Sequence, residues 1–150
     1  MQEREQINLL LGEFGREIGL DGLTLDADGH AALAFDDVLV NLELEEDDDR
    51  LLFYAYLGGI RGDAPAAMRA MLEANLFWRG ADGGTLAMER ATGGVVLELA
   101  VPAASLDRAR LEAVLERFIN TAEEWTQRLG AGEAAKAADA EAGAAMMFRA

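Results

Sequence analysis

Apolar residues fall at Ile7, Leu10, Leu11, Phe14 and Ile18 near the start of the chain, the i, i+3, i+4, i+7, i+11 spacing of one helical face. Gly19 follows where a helix C-terminal glycine belongs. The period then drops to two. Leu23 and Leu25 form a short alternating segment, Asp28-Gly29 reads as a tight turn, and Leu33 and Phe35 resume the alternation. After a second turn at Asp36-Asp37, Val38, Val40, Leu42 and Leu44 alternate with Leu39, Asn41 and Glu43, the pattern of a half-buried strand. The acidic run Glu45 to Asp49 separates it from Leu51 to Leu57, which is apolar or aromatic on both faces and reads as a strand covered on both sides.

Pro65 stands at the first turn of a second helix, predicted to run to about Trp78 and to stop at Gly80. Two strands follow, Gly84 to Glu89 and Val95 to Val101, hinged at Thr92-Gly93-Gly94 and ended by Pro102. A last helix is predicted from Ser105 to Leu129, with Leu111, Val114, Leu115, Phe118, Ala122, Trp125 and Leu129 on its apolar face. Ser105 is its expected N-cap, and Asp107 suits the positive end of the helix dipole. The fold class expected is therefore α+β: helix, antiparallel strands, helix, two strands, long C-terminal helix. One domain over residues 1–129 precedes a tail, 130–150, rich in Ala, Gly and Glu and expected to be mobile. Met146, Met147 and Phe148 are the part of that tail able to dock on something.

The second helix has little polar surface beyond Arg69, Glu73 and Asn75. One sheet buries only one face of a helix in a domain this small. Met68, Met71, Leu72 and Leu76 are therefore assigned to a homodimer interface, burial of such side chains contributing about 1.5 to 3 kcal/mol each.

Composition narrows the chemistry. Apolar residues make up 51% of the chain, enough to build a core despite a net charge of −15. With no Cys and one His, His30, thiolate nucleophiles, disulfides and Cys- or His-rich metal sites drop out. The one lysine, Lys136, lies in the tail, which leaves no Schiff-base lysine in the folded body. No cofactor is expected. A chain this acidic repels nucleic acid and anionic membranes, so neither is an expected partner. The polar, acidic start of the chain does not resemble a targeting signal, and no apolar run approaches membrane-spanning length. A cytoplasmic protein is expected.

Other signals weigh less. Glu45 to Asp49 lacks the spaced ligands of a calcium loop, and the loop begun by Asp26-Ala-Asp28-Gly29 would place Phe35 where its last ligand should be. Arg61-Gly62-Asp63 is read as a chance tripeptide, Gly58 to Gly62 lacks phosphate-loop spacing, and His30 is read as an exposed turn residue. Asp and Glu pairs on turns and outer helical faces give no cleft pattern for a carboxylate hydrolase, so the chain is not read as an enzyme.

Several segments in order resemble a known family. Leu10-Leu-Gly-Glu-Phe-Gly15, Ile18-Gly-Leu20, Leu51 to Leu57, Ala74-Asn-Leu-Phe-Trp78, Gly83-Gly-Thr-Leu-Ala-Met88, Thr92-Gly-Gly-Val-Val-Leu97 and Phe118-Ile-Asn-Thr-Ala-Glu-Glu-Trp125 look like class I chaperones of type III secretion, the Tir chaperone family. The resemblance covers about Ile7 to Leu129, and the tail is extra to it. It implies a homodimeric bacterial protein that binds the N-terminal segment of an effector in extended form, with the secretion ATPase as a further partner. Backbone pairing at a sheet edge would supply affinity, and shallow apolar patches selectivity. Surplus apolar positions make Phe14, Leu33, Phe35, Leu39, Leu51 and Phe53 the effector-binding candidates. Leu39 leads them, because it shares a strand face with the polar Asn41 and Glu43. A small α+β adaptor or regulatory module without a secretion role stands as the alternative.

Overall fold

A computed structural model describes residues 2–130. Its elements are α1 (Gln2–Glu17), β1 (His30–Phe35), β2 (Val38–Glu45), β3 (Arg50–Gly58), α2 (Ala64–Asn75), β4 (Thr85–Met88), β5 (Val95–Pro102) and α3 (Arg108–Arg128), with single 3-10 turns at Glu46–Asp48, Leu76–Trp78 and Ala103–Ser105. The strands form a five-stranded sheet in the order β1-β2-β3-β5-β4. The α+β class and the order of elements are as the hydrophobic periods predict. The expected tail lies outside the described residues except for Gly130.

Two compact units are distinguished, one holding the chain up to Phe53 with Ala100–Arg117, the other Tyr54–Leu99 with the chain from Phe118 on. In the first, α1 buries Ile7, Leu11 and Phe14, β1 and β2 bury Leu33, Val40 and Leu42, β3 buries Leu51 and Phe53, and α3 buries Leu111 and Leu115. The β1–β2 hairpin turns at Asp36-Asp37, pairing Phe35 with Val38, Leu33 with Val40 and Ala31 with Leu42. In the second unit the buried set is Leu57, Met71, Leu86, Val95, Leu97, Phe118, Ala122 and Trp125. There β4 and β5 pair antiparallel, Leu86 opposite Leu97.

Local chemistry moves several predicted boundaries. Helix α1 stops at Glu17, and Gly19, at φ +83°, turns the chain so that the Leu20 N–H reaches the Gly15 carbonyl at 2.7 Å. Leu23 and Leu25 form no strand; Leu25 is held by its N–H donating to Asn8 Oδ1 at 2.9 Å. Ser105 is not the cap of α3: its hydroxyl donates back to the Pro102 carbonyl at 2.7 Å within a 3-10 turn. Asp107 does the capping, its Oδ1 accepting from the Arg110 N–H at 2.8 Å. Helix α2 ends at Asn75 rather than Trp78, because the Gly80 N–H bonds the Ala74 carbonyl at 3.0 Å while Phe77 and Trp78 take left-handed φ of +54° and +57°.

Candidate partner-binding surfaces

The first unit presents the edge of the sheet. At the start of β1 the Asp26 N–H donates to the His30 carbonyl (2.8 Å), and the His30 N–H donates to Asp26 Oδ1 (3.0 Å). The backbone of His30 therefore faces outward, away from β2. Backbone groups alternate in direction along an antiparallel strand, so the N–H and C=O of Ala32 and Ala34 also point outward. Both alanines are exposed. The strand, His-Ala-Ala-Leu-Ala-Phe, carries no Lys, Pro, Asp or Glu, the residues that usually blunt an edge.

Each face of this edge carries one accessible apolar group. On one, Leu39 is half-buried opposite Ala34 in the hairpin register, beside Ala32 and its partner Asn41. On the other, half-buried Phe35 lies 6.4 Å from Phe14, ring to ring at 53°, and the Arg108 guanidinium stacks over Phe14 at 5.3 Å. Arg108 also pairs with Glu17, and the hydrogen bond that the guanidinium donates to that carboxylate raises its pKa further. Glu13, Arg16, Glu17, Arg108, Ala109 and Glu112 line an open cleft of about 620 Å³ there, in which the carboxylates outnumber the guanidiniums by one.

Of the six effector-binding candidates, the structure brings Phe14 and Phe35 together and sets Leu39 on the opposite sheet face. Phe14, Leu33, Leu51 and Phe53 are buried in the chain's own core, where their apolar character is spent on folding, which leaves Phe35 and Leu39 as the accessible members of the set. His30 is no exposed turn residue: it opens β1, half-buried, with Nε2 3.0 Å from Oδ1 of the buried Asn41. The acidic run is tied to arginines, Glu45 and Asp48 to Arg50 and Glu46 to Arg4. Among the described residues no group of three or more His, Asp or Glu is arranged to hold a metal ion.

The second unit presents an apolar helix face. Of the residues assigned to a dimer interface, Met71 is buried within the unit, whereas Met68, Leu72 (72% exposed) and Leu76 (62%) form an outward stripe at i, i+4, i+8. Phe77 and Trp78, which periodicity alone does not single out, are 67% and 57% exposed. Asn75 anchors this region. Its Nδ2 donates to the Leu86 carbonyl at 2.9 Å, and its Oδ1 accepts from the Leu86 N–H at 2.8 Å. Leu86 pairs with β5 on its other side, so Asn75 closes at one residue the sheet edge that β4 would leave open. The following hairpin is locked by Tyr56, whose hydroxyl donates to Thr92 Oγ1 at 3.0 Å over Gly94, where a Cβ would overlap the phenol. Two of the quoted motifs, around Asn75 and around Gly94, thus have a packing reason.

Comparison with known proteins agrees with this architecture. The Tir chaperone protein (CesT) family matches residues 9–126. The transcriptional anti-antiactivator ExsC of Pseudomonas aeruginosa is 36% identical over 130 residues, 86% of this chain and 88% of that protein. A chain of the crystallised ExsC–ExsE complex superposes with TM-score 0.75 at 33% identity, covering 84% of this chain and 95% of the other. A chain of the ExoT–SpcS complex from Pseudomonas aeruginosa gives TM-score 0.60 at 27% identity, covering 79% and 96%. The order of elements, the quoted motifs and these matches lead to one assignment: the chain belongs to the Tir chaperone (CesT) family, the class I chaperones of type III secretion, a family of binding proteins.

Proposed function

We propose that this chain is a cytoplasmic bacterial chaperone that, as a homodimer, holds the N-terminal segment of a type III effector in extended form and keeps it soluble and competent for secretion. The observation that carries this reading is the open outer edge of β1. An extended segment pairing with the outward N–H and C=O groups of Ala32 and Ala34 gains backbone hydrogen bonds whatever its sequence, and its alternate side chains meet Leu39 on one face and Phe35 on the other. Holding a segment in this way needs no nucleotide, only binding that outweighs the segment's own collapse. The outward stripe Met68, Leu72 and Leu76 supports self-association through α2. The net charge of −15 supports solubility of a protein whose apolar surfaces await partners. The secretion ATPase is a further partner of this reading.

The 36% identical relative is a transcriptional anti-antiactivator, which favours a second reading. In it the same surface opposes a regulator by binding it, and secretion is not the purpose. Co-purification of the full chain with its partner, followed by limited proteolysis of the complex, separates the two. A chaperone retains a protected N-terminal segment of a secreted protein, whereas a regulator retains a partner that acts on transcription. Leu39→Asp places a charge on the pairing face, and Ala34→Pro removes an outward N–H. Both are expected to lose capture while keeping the fold; a partner retained equally by both variants would refute the edge as the binding site.

A further inference from the structure

The outer edge of β1 has little along its length to fix where an extended segment pairs. Its two open residues, Ala32 and Ala34, offer only methyl groups, and a strand that slides along β1 by two residues keeps every side chain on the same face. Register nevertheless decides what the segment meets, because one of its positions lies over Ala34, within reach of Leu39, the residue paired with Ala34 in the hairpin. A device that fixes register has to sit at an end of the edge.

After Phe35, Asp36 takes a left-handed φ of +51° and turns the chain out of the strand. Before Ala31 stands Asp26, whose N–H donates to the His30 carbonyl at 2.8 Å and whose Oδ1 accepts from the His30 N–H at 3.0 Å. This one residue thus pairs with both outward backbone groups of His30 as a neighbouring strand would. Asp26 is itself held in place. Its Oδ1 also takes the Asp28 N–H at 2.9 Å, its carbonyl takes the Gly29 N–H at 3.0 Å, and the Arg4 guanidinium, paired with Glu46 at 3.2 Å, donates to the same carbonyl. The His30 N–H is the largest cause holding the Asp26 carboxyl below its ordinary pKa of 3.8, so the side chain stays an acceptor at neutral pH.

We propose that Asp26 is the register stop of the β1 edge: by closing His30 to pairing it confines an incoming strand to Ala32 and Ala34, about 7 Å apart along the strand. The segment that fits is extended across those two residues, leaves the sheet before His30, and carries its large apolar side chain opposite Ala34, where the methyl group leaves room to reach Leu39. The stop makes that position selective, since a segment with the same residue two places away cannot slide to bring it there. Asp26 acts through His30 and is a positioning residue. The inference rests on the open β1 edge being the binding site and goes beyond it in naming what sets the register there.

Amide exchange of the full chain, followed by NMR, tests this with a synthetic peptide of alternating Thr and Val, closed by a lysine at each end, as the probe. In the wild type the peptide is expected to slow exchange at Ala32 and Ala34 and to leave His30, already bonded to Asp26, unchanged. In Asp26→Ala the His30 N–H is expected to exchange fast without peptide and slowly with it, and the peptide to bind about threefold to tenfold tighter for the hydrogen bond gained. Asp26→Asn keeps an oxygen acceptor and is expected to behave as the wild type. Slow exchange at Leu33, which pairs with Val40 in β2, verifies the hairpin in each variant. A peptide that protects the two alanines but gains neither His30 protection nor affinity in Asp26→Ala overturns the stop and leaves the open edge standing. Asp26→Asn behaving as Asp26→Ala overturns it as well, because the acceptor is then not what closes His30. Protection of neither alanine in the wild type refutes the edge itself, and the stop with it.

Discussion

Asn75→Ala tests how the apolar helix face is held. The Asn75 amide makes two hydrogen bonds to the Leu86 backbone, at 2.9 and 2.8 Å, and Leu86 is buried. Each such bond contributes about 0.5–1.5 kcal/mol net, and a buried group left without a partner costs about 1–3 kcal/mol. Two bonds give a loss of about 2 kcal/mol, rising to about 4 if no water reaches the Leu86 N–H and C=O, less about 0.5 for the better helix propensity of alanine. With a urea m-value of about 1–3 kcal/mol/M, the unfolding midpoint should fall by about 1 M. Variants must be compared at one protein concentration, because self-association stabilises by mass action. Asn75→Asp should lose at least as much, since a carboxylate accepts from the Leu86 N–H but cannot donate to its carbonyl. A midpoint shift under about 0.2 M for the alanine variant would show that the amide is not what ties α2 to β4.

Leu72→Asp should leave the chain folded, because the side chain is 72% exposed, but convert particles of twice the 16.1 kDa chain mass into single chains by light scattering. An isologous interface loses the leucine twice, about 3–6 kcal/mol or roughly a hundredfold or more in dissociation constant; an unchanged mass removes α2 from the interface. Glu89 accepts from the Thr92 hydroxyl at 2.6 Å and from the Thr92 and Ala91 N–H groups, which hold its pKa below the ordinary 4.5, the hydroxyl being the largest cause. A carboxyl whose pKa is depressed on folding stabilises above its unfolded value and loses that contribution as pH falls through the folded one. The melting temperature of the wild type should therefore fall more than that of Glu89→Gln between about pH 5.5 and pH 3.5, and parallel curves would count against the hairpin carboxylate.

Much of the architecture was legible because it depends on local period. The apolar face of α1, the alternation of β2 and the face carrying Leu111, Leu115, Phe118 and Trp125 each identify an element and its buried side without reference to the rest of the chain. Ends were less legible, because they turn on single hydrogen bonds: Ser105 and Asp107 are both plausible caps by type, and only geometry puts the Asp107 carboxylate on the Arg110 N–H. The candidate site divides the same way. The polar companions of Leu39 mark its face in the sequence. Leu33, Leu51 and Phe53 carry no mark that separates core from binding surface, since both demand the same apolar side chains.

What the sequence determined by itself is the set of elements, the class of fold, the absence of cysteine chemistry and a family resemblance carried by the order of short motifs. The tertiary structure decided which strand stands at the edge and which way its backbone points, that Met71 turns inward while Leu72 and Leu76 turn out, and that Phe77 and Trp78 leave the helix with their rings exposed. The reason is physical. Periodicity records that a residue needs cover, whereas what covers it, and which backbone groups remain unpaired, depends on the order of strands and on contacts between residues far apart in the chain.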